Sequence, residues 1–276
     1  MGNGAGWLGM VRDGRDDDGA SWRLGVHGGV ISGANALFGG GATAAALVAA
    51  REVTTQPLVW ASAHFGALAK AGAEVSLATQ VISSGRTMTH VEVRGVAADR
   101  EAFVVRVAAG ERPTHAVQGQ WVDAPSVPPV DGCGPFDHPV HAGTWAARFE
   151  WRLAGSGTGS GPGSSPWAAW WVRPAEADPC EALVTLAVLA DYVTYGVGRA
   201  LGEPMGGLSI DNVLRLHDVP AFVDGDWLLL DVRPEAVEGG FGHGVARLFG
   251  NGGRLLATGT QSMVVNNWDW RLPTER

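Results

Sequence analysis

Two stretches of the chain are apolar or small on every helical face, and each is followed by four runs in which apolar and polar positions alternate. The first is Gly39–Val53, GGGATAAALVAAREV, opened by three glycines. The second is Asp178–Gly202, DPCEALVTLAVLADYVTYGVGRALG. A helix without a polar face is a buried helix. The second carries helix end signals: Asp178 as N-cap, Pro179 at the first helical position, and Glu181 in the capping-box place. Arg199 stands in its last turn and Gly202 at its stop. Period-two alternation predicts strands over Leu58–Phe65, Glu74–Ser83, Thr87–Gly95 and Ala102–Ala109 after the first helix. After the second it predicts Gly207–His217, Trp227–Pro234, Phe241–Phe249 and Arg254–Val265. Short strands precede each helix, at Trp22–His27 with Val30–Ile31 and at His141–Leu153 with Trp167–Val172.

The same plan of short strands, apolar helix and four-strand meander therefore occurs twice. One registration sets His64 against His217 and Val75 against Leu228, each 153 positions apart. Residues 1–20 are rich in Gly and Asp and read as a loosely held arm. Residues 111–142 hold six prolines without a period and read as a connection. The physical picture is an α+β fold in which a curved antiparallel sheet wraps an all-apolar helix, twice, with the two sheets joined. That is a double hotdog, with hotdog units expected at 21–110 and 143–270 and the connection at 111–142.

Composition narrows the function. Of the 276 residues 46% are hydrophobic and 17% charged, which suits a compact globular chain. The net charge is −8 and Lys70 is the only lysine, so a nucleic-acid partner is not expected. Cys133 and Cys180 are far apart with no CxxC pattern, which fits a reducing cytoplasm and offers no metal framework. The first residues lack the cationic start and apolar core of a signal peptide, and Gly6 stands where a myristoylation motif wants Ser or Thr. No apolar run reaches bilayer-spanning length without interruption, so membrane insertion is not expected.

One carboxylate interrupts the second helix. Asp191 has Ala187, Val188, Thr194 and Tyr195 as its helical neighbours, none of them a cation. Burying an unpaired carboxylate is costly, so this residue has either a functional use or a hydrogen-bonding partner on a neighbouring strand. The remaining candidates read more plainly. His64 and His217 occupy equivalent strand positions, which favours packing. Asp211 reads as a surface or hairpin contact, and His243 as a residue of a glycine-rich turn. Trp145, Trp151, Trp167, Trp170 and Trp171 read as core and inter-sheet packing, with acyl-chain lining the lesser alternative for one or two of them.

The helix ADPCEALVTLAVLADYV, the strands GLSIDNVLRLH and DWLLLDV, and the hairpin end GGRLLATGTQSMVVNN resemble the bacterial type II acyl-CoA thioesterases. The first half resembles them through ANALFGGGATAAALVAAREV, a Gly-Gly helix start. It departs from them in lacking a Gln after those glycines and an Arg-Pro after the first meander strand. The resemblance implies acyl-CoA as substrate and partner, hydrolysis without a cofactor, and a homodimer or larger homo-oligomer. It also implies an Asp, a Thr or Ser and a Gln around one water. By motif these fall on Asp191 in LADY, Ser209 in GLSID and Gln261 in GTQ.

Thioester hydrolysis needs a nucleophilic water, a place for charge on the carbonyl oxygen and a slot for the acyl chain. An apolar setting makes Asp191 basic enough to take a proton, and direct attack to a mixed anhydride is the other role open to it. Ser209 and Gln261 can each donate and accept, which is what holding a water requires. The backbone N–H groups of Gly39, Gly40 and Gly41 suit a developing oxyanion. Arg86, Arg94 and Arg199 are candidates for the coenzyme A phosphates. The internal repeat sets Gln56 and Ala108 opposite Ser209 and Gln261, and no Asp or Glu lies between Gly19 and Arg51, so one site per chain is expected. An enoyl-CoA hydratase would want His five residues after the Asp, where this chain has Gly196. A non-catalytic acyl-CoA-binding or scaffold protein is the alternative.

Overall fold

The computed structural model describes residues 4–15, 19–112, 118–137, 141–158, 165–176, 178, 180–201 and 206–266. Pro179 and Gly202 lie outside the described residues, as does the side chain of Arg199. Thirteen antiparallel strands form one sheet around buried helices, a double hotdog. In the first half α1 (Gly4–Leu8), β1 (Met10–Arg15) and β2 (Ala20–Gly25) precede α2 (Gly39–Arg51). The meander β3 (Leu58–Phe65), β4 (Glu74–Ser84), β5 (Met88–Ala97) and β6 (Arg100–Gly110) follows. In the second half β7 (Phe149–Gly157) and β8 (Trp167–Pro174) precede α3 (Ala182–Ala190) and α4 (Val193–Leu201). Then come β9 (Gly206–Ser209), β10 (Asp211–Leu216), β11 (Leu228–Glu238), β12 (Phe241–Phe249) and β13 (Leu255–Asn266).

The strand order β1-β2-β4-β5-β6-β3-β10-β13-β12-β11-β8-β7 reads as one half and its reversal. The halves meet where β3 pairs with β10, Ala61 opposite Leu214. Those two residues are also 153 positions apart. The same spacing separates two register shifts, at Val81/Ser83 between β4 and β5 and at Pro234/Ala236 between β11 and β12. A bulge repeated at one offset ties the two meanders together more firmly than residue identity does.

Four sequence expectations change. The arm is structured: β1 pairs with β2, and Trp7, Leu8 and Met10 are buried. Arg148 fastens it, its guanidinium 3.6 Å from the Trp7 ring centroid and donating to the Trp7 carbonyl at 2.6 Å. Three apolar anchors among glycines and aspartates were too few to show as a period. Val30–Ile31 is not the partner of β2, which pairs with β1 and β4. The 141–153 strand begins only at Phe149, because Trp145–Arg148 is a 3-10 turn capped by Thr144. The helix expected over Asp178–Gly202 starts later and breaks. Its N-cap is Glu181, while Asp178 accepts a hydrogen bond from Arg148 Nη2 at 2.8 Å.

The break falls at Asp191. Asp191 N–H and Tyr192 N–H donate to the carbonyls three residues back, Val188 and Leu189, so the α-helical ladder lapses for one turn before α4 resumes. There the Asp191 carboxylate meets Asn212 and Gln261 of the sheet.

Residues Gly40 to Ala50 of α2 are all buried, which explains why the helix shows no polar face. It packs against β2 to β6, and α3 packs against β12 and β13. The two helices lie side by side and antiparallel. The start of α2 touches the end of α3, where Gly40 meets Val188 and Asp191. The start of α3 touches the end of α2, where Arg51 donates to both oxygens of Glu181 at 3.2 and 3.0 Å. Among the described residues no helix is long and apolar enough to cross a membrane.

Candidate active site

Asp191 is fully buried and forms no ion pair among the described residues. Its Oδ1 accepts from Asn212 Nδ2 at 2.7 Å and also from Gln261 Nε2. The same Gln261 Nε2 donates to Ser209 Oγ at 2.8 Å. Oδ2 has no side-chain donor and faces the start of α2: a Cβ built on Gly39 would lie 2.7 Å from it. Burial pushes the Asp191 carboxyl up from 3.8 to about 7. The Asn212 amide opposes that rise most, then the Gly40 backbone N–H, while the charge of Asp211 adds to it.

Each partner arrives by a distinct local device. Gln261 sits on β13 facing inward with Gly259 and Met263. Gly259 matters because a Cβ there would come within 2.4 Å of the Ala190 carbonyl, so only glycine lets α3 rest this close to β13. Ser209 and Asn212 are an odd number of residues apart and would face opposite sides of a regular strand. The strand expected over Gly207–His217 is instead broken at Ile210: Met263 is opposite Ser209, but Thr260 is opposite Val213, a shift of one. That bulge puts Ser209 and Asn212 on the same face. Asp211 faces otherwise, its Oδ1 accepting from the Ser262 N–H at 2.7 Å.

The three glycines divide. Gly39 lines a crevice of about 320 Å³ together with Phe38, Phe65, Leu208, Ser209 and Val264. Gly40 lies against Asp191, with a Cβ position 3.0 Å from the Asp191 Cβ. Gly41 points to Val30. Phe38 caps α2 without a side-chain hydrogen bond, so the first N–H groups of the helix are not satisfied by a cap.

Asp191, Ser209 and Gln261 are thus one hydrogen-bonded cluster against the glycine start of the other half's helix. Sequence reasoning missed Asn212. Its signal was parity: in DNVLRL it shares the inward face with Leu214 and Leu216, and it is the polar member of that set.

Residues 122–265 match the family profile described as acyl-CoA thioesterase C-terminal domain. A crystal structure from Novosphingobium aromaticivorans, provisionally assigned as a thioesterase, is 30% identical with a TM-score of 0.78, the match covering 92% of this chain and 98% of that one. The chain belongs to the acyl-CoA thioesterase family. It is a thioester hydrolase by that membership.

Two further structures share this thioesterase's fold. A hot-dog-fold protein of Alicyclobacillus acidocaldarius has a TM-score of 0.82 at 19% identity, covering 99% of this chain and 100% of that one. An acyl-CoA thioesterase II of Mycobacterium marinum has 0.70 at 17%, covering 93% and 96%. Among curated proteins no match is found.

The other candidates of the thioesterase stand apart from the cluster. His64 Nε2 lies 3.4 Å from Ser62 Oγ, and His217 Nε2 lies 3.0 Å from Thr258 Oγ1. His243 meets Glu235 at 2.8 Å. Arg94 pairs with Glu92 and Glu101, and Arg86 lies in the exposed β4–β5 turn. Trp145, Trp151 and Trp170 are buried, whereas Trp167 and Trp171 are partly exposed. Among the described residues no cluster of His, Cys, Asp and Glu can hold a metal.

Proposed function

We propose that this thioesterase hydrolyses a fatty acyl-CoA to the free acid and coenzyme A by water attack assisted by Asp191. The observation that carries the reading is the one-sided solvation of Asp191. Two amides hold Oδ1, and Oδ2 is left against Gly39, which together with Ser209 lines the crevice in front of it. A carboxylate whose second oxygen is undersolvated in an apolar setting is a proton acceptor. In this reading water gives its proton to Oδ2 while its oxygen bonds to the thioester carbon. Ser209 and Gln261 orient the water, and the N–H of Gly39 at the uncapped start of α2 meets the oxyanion, the Gly40 N–H being turned to Asp191. The carbon–sulfur bond then breaks, and the proton on Asp191 passes to the departing thiolate.

Direct attack by Oδ2 is less favoured, because Asp191 is fully buried behind Gly39 and a water crosses that gap more readily than a thioester carbon. The antiparallel helix pair also supports one site per chain. At the opposite junction the Arg51–Glu181 ion pair takes the place that Asp191 and Gly40 take here. We assign the two hotdog units to 21–110 and 143–270, joined by 111–142, with assembly into a homodimer or larger as for other hotdog sheets.

The test is release of free thiol from acyl-CoAs by wild type and by Asp191→Asn, with binding measured in parallel. Release that Asp191→Asn abolishes while binding persists supports hydrolysis. Binding by wild type with no release overturns it in favour of a non-catalytic acyl-CoA-binding role.

A further inference from the structure

The crevice has a second arm. At Ser32, Phe38, Thr194 and Gly207 it adjoins a smaller chamber of about 90 Å³, walled by Trp145, Tyr192, Tyr195 and His141. Those walls are braced against one another. Phe38 and Trp145 stack at 4.4 Å and 11°, and the Tyr192 and Tyr195 rings are 4.9 Å apart. Trp145 packs edge-on to Tyr192 at 5.7 Å, and the Tyr192 hydroxyl lies 2.7 Å from His141 Nε2 in the interior. A box of interlocked rings cannot widen without breaking several contacts at once. It stands next to the chemistry: Tyr192 follows Asp191, and Gly207 lies two residues before Ser209.

The wider arm has the opposite character. Its rim exposes Leu68, Ile210 and Val264 at the surface. Lys70 follows the crevice residues Leu68 and Ala69, is exposed, and forms no ion pair among the described residues. That rim can meet the phosphates of a coenzyme, while the ring-walled chamber favours an uncharged group.

We infer that the pantetheine arm lies in the wider crevice and that the aromatic chamber selects a compact acyl group of about three to five carbons, scaled from a 150 Å³ cavity that holds benzene. This rests on the hydrolysis proposed above and names its substrate class. A chain longer than the chamber's capacity meets the braced rings, and one surplus methylene in such a pocket alters kcat/KM by roughly tenfold or more.

The experiment is kcat/KM over straight-chain acyl-CoAs from acetyl to palmitoyl. The expected profile peaks near butyryl and has fallen at least about tenfold by octanoyl. Tyr195→Ala, which opens the box, moves the maximum to longer chains. Ala34→Leu, a change in a loop residue lining the chamber, lowers the butyryl-to-acetyl ratio by about tenfold or more and decides the matter if the tyrosine variant misfolds. Lys70→Ala raises KM for acyl-CoA more than for the matching acyl-pantetheine. Palmitoyl as best substrate, with both chamber variants leaving the profile unaltered, overturns the inference and puts the chain along Leu68, Ile210 and Val264. Equal response of both thioesters to Lys70→Ala overturns the assigned direction. No thiol release at any length sinks the hydrolysis reading and this inference together, whereas an unaltered profile sinks only the inference.

Discussion

Gly40 and Asp191 touch across the two halves of the molecule: a Cβ added to Gly40 would lie 3.0 Å from the Asp191 Cβ and 2.7 Å from the Val188 carbonyl oxygen. The start of one helix is pressed onto the broken end of the other, and glycine is the reason it can be.

Gly40→Ala is therefore expected to destabilise the fold despite the better helix propensity of alanine. Propensity favours alanine by about 1 kcal/mol. Forcing a methyl against backbone costs about 1–3 kcal/mol, and the second effect wins because a carbonyl oxygen cannot turn aside as a flexible side chain can. Thermal unfolding reads the loss. The kcat is expected to fall by about a hundredfold, since a shift of about 1 Å in Asp191 is enough for that. Unchanged Tm and kcat together would show that the contact is slack.

Asp191 makes activity and stability run in opposite directions with pH. Its carboxyl is raised by burial from 3.8 to about 7, so activity that requires the anion climbs through an acid limb near pH 7. For stability the folded form binds the proton more tightly than the unfolded chain. The contribution is therefore fully present below pH 3.8 and is lost as pH rises through about 7. The gap sets an upper bound of roughly 4 kcal/mol on the cost of the buried charge. Asp191→Asn, which carries no charge to bury, is expected to raise Tm well above pH 7 and to lose that advantage toward pH 4. A Tm difference that is flat with pH would mean that Asp191 ionises freely in the folded protein.

Asn212 is a positioning residue in this scheme: it holds Oδ1 and leaves Oδ2 to the substrate side. A hydrogen bond to a charged group is worth about 1.5–3 kcal/mol, so Asn212→Ala is expected to move the acid limb of kcat/KM up by about one pH unit or more. The other groups that act on Asp191 are the Gln261 amide, the Gly40 N–H and, through its charge alone, the Asp211 carboxylate, and none of them changes in this variant. A lower kcat with the limb unmoved is the outcome expected of a purely structural asparagine, and it would falsify this role.

The elements that were legible in the sequence are those whose own residues decide them. α2 begins at Gly39 as expected, and β3 and β12 keep their bounds. An all-apolar helix followed by alternating strands leaves few ways to bury its surface, so the double hotdog was readable from pattern. Motif resemblance brought forward Asp191, Ser209 and Gln261, and the isolation of Asp191 from cations was readable from its neighbours.

What the chain order alone could not decide came from contacts between distant segments. The break after Ala190 arises where the Asp191 carboxylate meets the Asn212 and Gln261 amides of the sheet. The bulge at Ile210, which sets Ser209 and Asn212 on one face, is a matter of pairing between β9, β10 and β13. The ordering of the N-terminal arm depends on Arg148, far along the chain. Local sequence determined which segments are helix or strand, because propensity and periodicity act over a few residues. Only tertiary structure decided which oxygen of Asp191 is held and which is left facing Gly39, because amides from two separate strands and the close fit of two glycines set that choice.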